Sequence, residues 1–146
     1  MISSITDFAD RGVETSRAPW QVRAVAIATA VITNAFILTA GRIVNGEFPV
    51  ATVGDDDQSI AYLQVIGVTM LIGLIAWGLL FLSERTTSRA ASIWLAIAIV
   101  FFLISLIGPL VQGENASSKV VLALMHLGAF LTIVPLLRQS AVTPRA

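Results

Sequence analysis

The chain has 146 residues, of which 56% are hydrophobic and only 12% charged, with no cysteine and a formal net charge of zero. A single water-soluble domain of this length cannot hide so much apolar surface in its core, so the composition points to lipid as a second solvent. Zero net charge offers no basic face to nucleic acid, and the lack of cysteine excludes disulfide staples, thiolate metal sites and paired-thiol redox chemistry.

Segment 1–21 is a polar tail. It carries Asp7, Asp10, Arg11, Glu14 and Arg17, with little apolar pattern beyond Ile2, Ile5 and Phe8, and is expected to be a loosely ordered cytoplasmic extension. Four stretches then follow that contain no Asp, Glu, Lys or Arg: Ala24–Gly41, Gln58–Ser83, Ala90–Gly113 and Val120–Leu137. Each reaches the ~18 residues needed to cross a hydrocarbon layer about 30 Å thick. None shows the alternation of a barrel strand, and a lone helix is the segment that satisfies its own backbone in lipid. The expected spans are about 22–43, 59–83, 90–112 and 119–138, within a transmembrane domain of 22–138 followed by a cytoplasmic tail of 139–146. The first span lies behind a long polar stretch and ahead of three more, which marks it as a retained helix rather than a signal peptide.

Orientation follows from the basic residues. Arg11, Arg17, Arg23, Arg85, Arg89, Arg138 and Arg145 fall on one side of such a bundle, and only Arg42 and Lys119 on the other. Positive-inside bias puts both termini and the middle loop in the cytoplasm, so the fold class expected is all-α: an integral membrane bundle of four antiparallel transmembrane helices. Trp20, Trp77 and Trp94 fall near the cytoplasmic ends, where interface anchors belong, although Trp77 is deep enough to be packing instead. The longest loop, Arg42–Ser59, holds Gly46, Pro49, Gly54 and the run Asp55-Asp56-Asp57. It reads as a turn-rich acidic connection without the spacing of a calcium loop. Asn115-Ala116-Ser117 matches a glycosylation sequon in a loop too short and too close to the membrane to be given weight.

Few polar side chains enter the spans. Asn34, Gln64, Ser105 and His126 do, one per helix, and at ~1.5 Å rise per residue all four fall roughly 6–11 Å below the outer helix ends. They form one candidate intramembrane polar layer. Small residues accompany them at helical spacing: Ala26, Ala30 and Gly41 with Asn34; Gly67 and Gly78 with Gln64; Ala98, Gly108, Pro109 and Gln112 with Ser105; Ala123 and Ala129 with His126. Such faces are expected to point inward, where polar groups bond across helix contacts. Pro109, having no N–H, leaves the Ser105 carbonyl as a free acceptor at this depth. Two readings of the layer stand side by side: a hydrogen-bond knot that fixes helix register, which is the leading one, and a small polar pocket opening outward with His126 as a titrating or ligand-binding group.

Other chemistry is excluded more firmly. No Asp or Glu lies inside a span, which argues against a carboxylate-based proton antiporter. A single His excludes bis-histidine haem ligation and multi-His metal sites within one subunit, and no Ser–His–acid set is credible with the acids in loops. No catalytic residue, metal site or cofactor is therefore expected.

The Asn34-centred first helix, the Arg-bearing loop before Ile93-Trp94, Ser105 with Gly108-Pro109-Leu110, and Leu124-Met125-His126-Leu127 ahead of Val134-Pro135 and Arg138 together resemble a family of small four-helix membrane proteins of unknown function common in actinobacteria. The resemblance covers Arg23 to Arg138 and implies four helices and some weight for His126, but no activity. The expectation is a multi-pass protein of a bacterial plasma membrane that is not an enzyme. It would act as an accessory, scaffold or self-associating bundle, with the lipid bilayer and either a second copy or another membrane subunit as partner. The alternative is a small-molecule or lipid binder or transporter that uses the polar layer.

Overall fold

The structure, a computed structural model, describes residues 18–53 and 56–142, and for 52, 53 and 56–58 the backbone alone. The expectations for segment 1–17, Asp55 and Arg145 lie outside the described residues. Helix α1 covers Pro19–Asn45, β1 Val50–Val53, β2 Asp56–Ser59, α2 Tyr62–Thr86, α3 Ala90–Ser105, α4 Ile107–Gln112 and α5 Ala116–Gln139. Counting α3 and α4 as one stretch, the chain has four helices long and apolar enough to cross a membrane.

Local chemistry sets the boundaries. Pro19 opens α1 at a position where its missing N–H costs nothing. Gly46 closes it in the left-handed region at φ 78°, returning its N–H to the Arg42 carbonyl. Asn115, the residue of the sequon, is the N-cap of α5, its side chain accepting from the Ser118 N–H at 2.8 Å. The chain breaks from α3 to α4 at Leu106 because Pro109 cannot donate to the Ser105 carbonyl and its ring crowds it.

The loop between α1 and α2 departs from the turn-rich connection expected. Val50–Val53 pairs antiparallel with Asp56–Ser59, Val50 opposite Ser59 and Val53 opposite Asp56. Two β-branched valines and Thr52 favour extended backbone there, but so short a hairpin is not stable by itself. It is tied to the loop before α5: Ala51 bridges to Gly113, Glu114 N–H donates to the Val50 carbonyl at 3.3 Å, and Val50 N–H to Ser118 Oγ at 3.1 Å.

Helix α1 packs on α5 and α2, α2 on α3, and α3 on α5, closing a ring of four. Two buried clusters fill it. At the hairpin end lie Leu38, Ala51, Val65, Val121, Leu122 and Met125, joined by Phe48 and Tyr62 edge to face. At the opposite end lie Ala26, Ala30, Leu80, Trp94, Ile133, Val134 and Leu137. Trp94 is thus a core residue rather than an interface anchor: only 2% exposed, it donates its indole N–H to the Ala76 carbonyl at 3.0 Å. Trp77 packs against the same cluster, and Trp20 alone of the three is mostly exposed.

Glycines decide the close approaches, though not all those expected. A Cβ on Gly41 would fall 2.8 and 2.9 Å from the two methyls of Val121, and one on Gly73 2.8 Å from Ile27. Gly67 and Gly78, expected to face inward, are exposed, and a Cβ there or on Gly108 would meet nothing within 4 Å. The inward face of α2 runs instead through Val65, Thr69, Gly73 and Leu80.

Candidate functional site

Between the two clusters lies a cavity of about 430 Å³, within the size range of small-molecule sites. Its walls come from α2, α3 and α5, with Asn34 contributed by α1. The lining runs along α2 from Gln64 to Ala76, along α3 from Trp94 to Ser105, and along α5 from Leu122 to Val134. Each stretch is about 17 Å at helical rise, so the space is a groove along the helices. Ala76, Trp94 and Val134 mark its apolar end, and Gln64, Ser105 and His126 its polar end. Phe102 and Phe130 stack at 4.3 Å between centroids and 27° between planes, joining α3 to α5 along one wall.

All four residues of the polar layer line this one cavity. No hydrogen bond joins any two of them. Asn34 is 5% exposed and donates through Nδ2 to Thr69 Oγ1 at 3.0 Å, while its buried Oδ1 has no partner. His126, half-buried, places Nδ1 2.7 Å from the Leu122 carbonyl, one turn back on its own helix. Ser105 donates to the Phe102 carbonyl at 2.7 Å. Gln64 is exposed at the rim. Ser105 and His126 thus bond to carbonyls of their own helices, as polar side chains on helices readily do, and Asn34 bonds through its Nδ2 alone to a neighbour outside the layer.

The cavity is apolar over most of its wall, and the cluster around Leu38, Val121 and Tyr62 packs the hairpin end. The exposed members of the lining are Gln64, Val68 and Ile72 on α2 and Phe101 on α3, so the groove opens sideways between those two helices. No Asp, Glu, Lys or Arg lines it among the described residues.

Thr69 is the polar wall residue that sequence reasoning passed over. Its signal was present: it is the lone hydroxyl in the apolar run of α2 between Tyr62 and Ser83, and the only residue of the span that answers Asn34. A second cluster was also missed, at the end away from the hairpin. Arg23, counted only as a cytoplasmic charge, is 4% exposed. Its guanidinium pairs with Glu84, and it donates from Nε to Ser140 Oγ at 3.0 Å and from Nη2 to the Ser140 carbonyl at 3.1 Å. Glu84 Oε1 also accepts from Val142 N–H at 2.8 Å, which ties the segment after α5 to the end of α2. The charges flanking a span show that something ionic happens at its end, but their pairing is a tertiary fact.

The four apolar helices are compatible with a membrane protein and with contact to a lipid bilayer. No curated protein and no solved structure matches the chain. A family model does match, over residues 14–143, nearly the whole length, and so the chain belongs to that family of unknown function, DUF6069.

Proposed function

We propose that the protein is a multi-pass plasma-membrane protein that takes an amphipathic small molecule or lipid into the groove between α2, α3 and α5, without catalysing a reaction on it. In this reading the four spans run antiparallel, the hairpin end faces outward and both termini are cytoplasmic, as the distribution of Lys and Arg suggests. The observation that carries the reading is the cavity itself. It is large enough for a ligand, polar at one end and apolar at the other, and open sideways through a mainly apolar rim between two helices that are long and apolar enough to cross a membrane. A ligand entering through such a rim comes from the bilayer rather than from water.

Native mass spectrometry of the protein released from mild detergent tests this. A retained amphiphile is expected on the unaltered protein and is expected to be lost in Ala98→Trp, whose indole would fill the groove from α3. An unaltered protein that carries nothing, and takes up nothing when lipid is added back, refutes the binding reading. Orientation has its own check: a reporter fused after Ala146 should report the cytoplasm.

Self-association is a second reading, supported by Gly67 and Gly78, which share an exposed face of α2 with open space above both. Glycines so placed let another helix approach closely. Gly78→Ile would then remove a crosslinked dimer that Gly108→Ile leaves intact.

A further inference from the structure

We infer that the groove selects an uncharged amphiphile whose head carries a hydroxyl, over the acids, amines and ethers of the same chain. The inference rests on the binding reading above and adds the chemistry of the head group.

Charge is the first discriminator. With no Asp, Glu, Lys or Arg in the lining among the described residues, a carboxylate, phosphate or ammonium would enter without a counter-charge. In a setting of hydrocarbon and aromatic rings that is costly.

Proton inventory is the second. A backbone carbonyl can only accept, so the 2.7 Å contact between His126 Nδ1 and the Leu122 carbonyl places the proton of a neutral ring on Nδ1. The other nitrogen, Nε2, is then an acceptor. Ser105 Oγ uses its single proton on the Phe102 carbonyl and has only lone pairs left to offer. Two of the groups at the polar end therefore ask for a donor. Thr69 Oγ1 accepts from Asn34 and retains its own proton to give, and the Gln64 amide can do both. A hydroxyl is the small uncharged group that donates and accepts at once. An ether only accepts and leaves His126 Nε2 unanswered. A chain attached to the head would run toward Trp94, along the apolar length of the groove.

Trp94 lines the apolar end and can report occupancy. In a Trp20→Phe, Trp77→Phe background it is the remaining emitter, and dibrominated octadecanol, its methyl ether, the matching octadecanoate and the matching octadecylamine serve as quenchers in detergent solution. The alcohol should quench saturably at about tenfold lower concentration than the ether, the worth of one net hydrogen bond, with acid and amine weaker than the ether. Thermal shifts of the unaltered protein with the unbrominated compounds should give the same order, so the test does not depend on the tryptophan variants folding. His126→Leu should narrow the gap between alcohol and ether, since Ser105 Oγ remains as an acceptor, while leaving saturable quenching in place. Four equal affinities, or tightest binding of the acid or amine, would overturn the head-group inference and leave the binding reading standing. Failure of all four to quench or to shift melting would overturn both.

Discussion

Replacing Glu84 by Gln should destabilise the bundle by about 2–3 kcal/mol. The substitution keeps the shape of the side chain and an acceptor oxygen for Val142 N–H, and removes only the charge facing Arg23. Breaking a buried ion pair from one side costs ~3–5 kcal/mol, because the remaining charge stays out of water without compensation. Here the side chains of Arg23 and Glu84 are 5% and 11% exposed, so the pair counts as buried rather than as a screened surface pair. The expected loss falls at or just below the bottom of that range because the guanidinium retains Ser140 Oγ and the Ser140 carbonyl. Such a loss lowers the folding equilibrium constant by roughly a hundredfold. Unfolding in mixed micelles of dodecyl maltoside and SDS, followed by circular dichroism, measures it. The companion is Arg23→Met with Glu84→Leu, which removes both charges and should return to within about 1 kcal/mol of the parent. If Glu84→Gln changes stability by less than about 0.5 kcal/mol, or if the double variant is at least as unstable as the singles together, the pair is not buried as described and the reasoning fails.

Glycine substitutions should separate by position: Gly41→Ala, which drives a methyl into both arms of Val121, is expected to cost ~1–3 kcal/mol in the same assay. Gly78→Ala, in open space, should be neutral or stabilising by up to about 1 kcal/mol, since alanine is the better helix former. Thr69→Val should cost ~1 kcal/mol by stranding the Asn34 amide N–H, whereas Thr69→Val combined with Asn34→Leu, which removes both partners and the unpaired Oδ1, should cost less than the single change. Trp94→Phe should lower stability by ~1–3 kcal/mol, from the lost bond to Ala76 and the void left beside the groove. It should also blue-shift no other tryptophan, which a fluorescence spectrum against the parent checks.

Much of this molecule can be read from its residues, and the parts that cannot share a cause. A long run without charge has one low-energy answer in lipid, a helix that bonds its own backbone, so the four apolar helices follow from composition. Asn34, Gln64, Ser105 and His126, picked out as the polar side chains of the four spans, all line one cavity. Pro109, read from the sequence only as freeing the Ser105 carbonyl, also breaks the third stretch at Leu106.

What composition does not give is rotation about the helix axis. In so apolar a chain every face looks alike, and the contrast between core and solvent that orients a soluble helix is absent. Gly67, Gly73 and Gly78 are equivalent letters in one helix, yet only Gly73 meets a neighbour, because Ile27 of α1 lies there and nothing covers the other two. The same blindness made Trp94 resemble an interface anchor and Arg23 a free cytoplasmic charge, when one is seated on Ala76 and the other is paired with Glu84 and Ser140.

The sequence by itself therefore determined the four long apolar helices and their approximate lengths, since each depends on distance along a single helix, though not the hairpin between the first two. The tertiary structure decided which faces meet, and with them the hydrogen-bond partners and the groove between α2 and α3. Those depend on the fit of side chains from different helices, a property that no one segment contains.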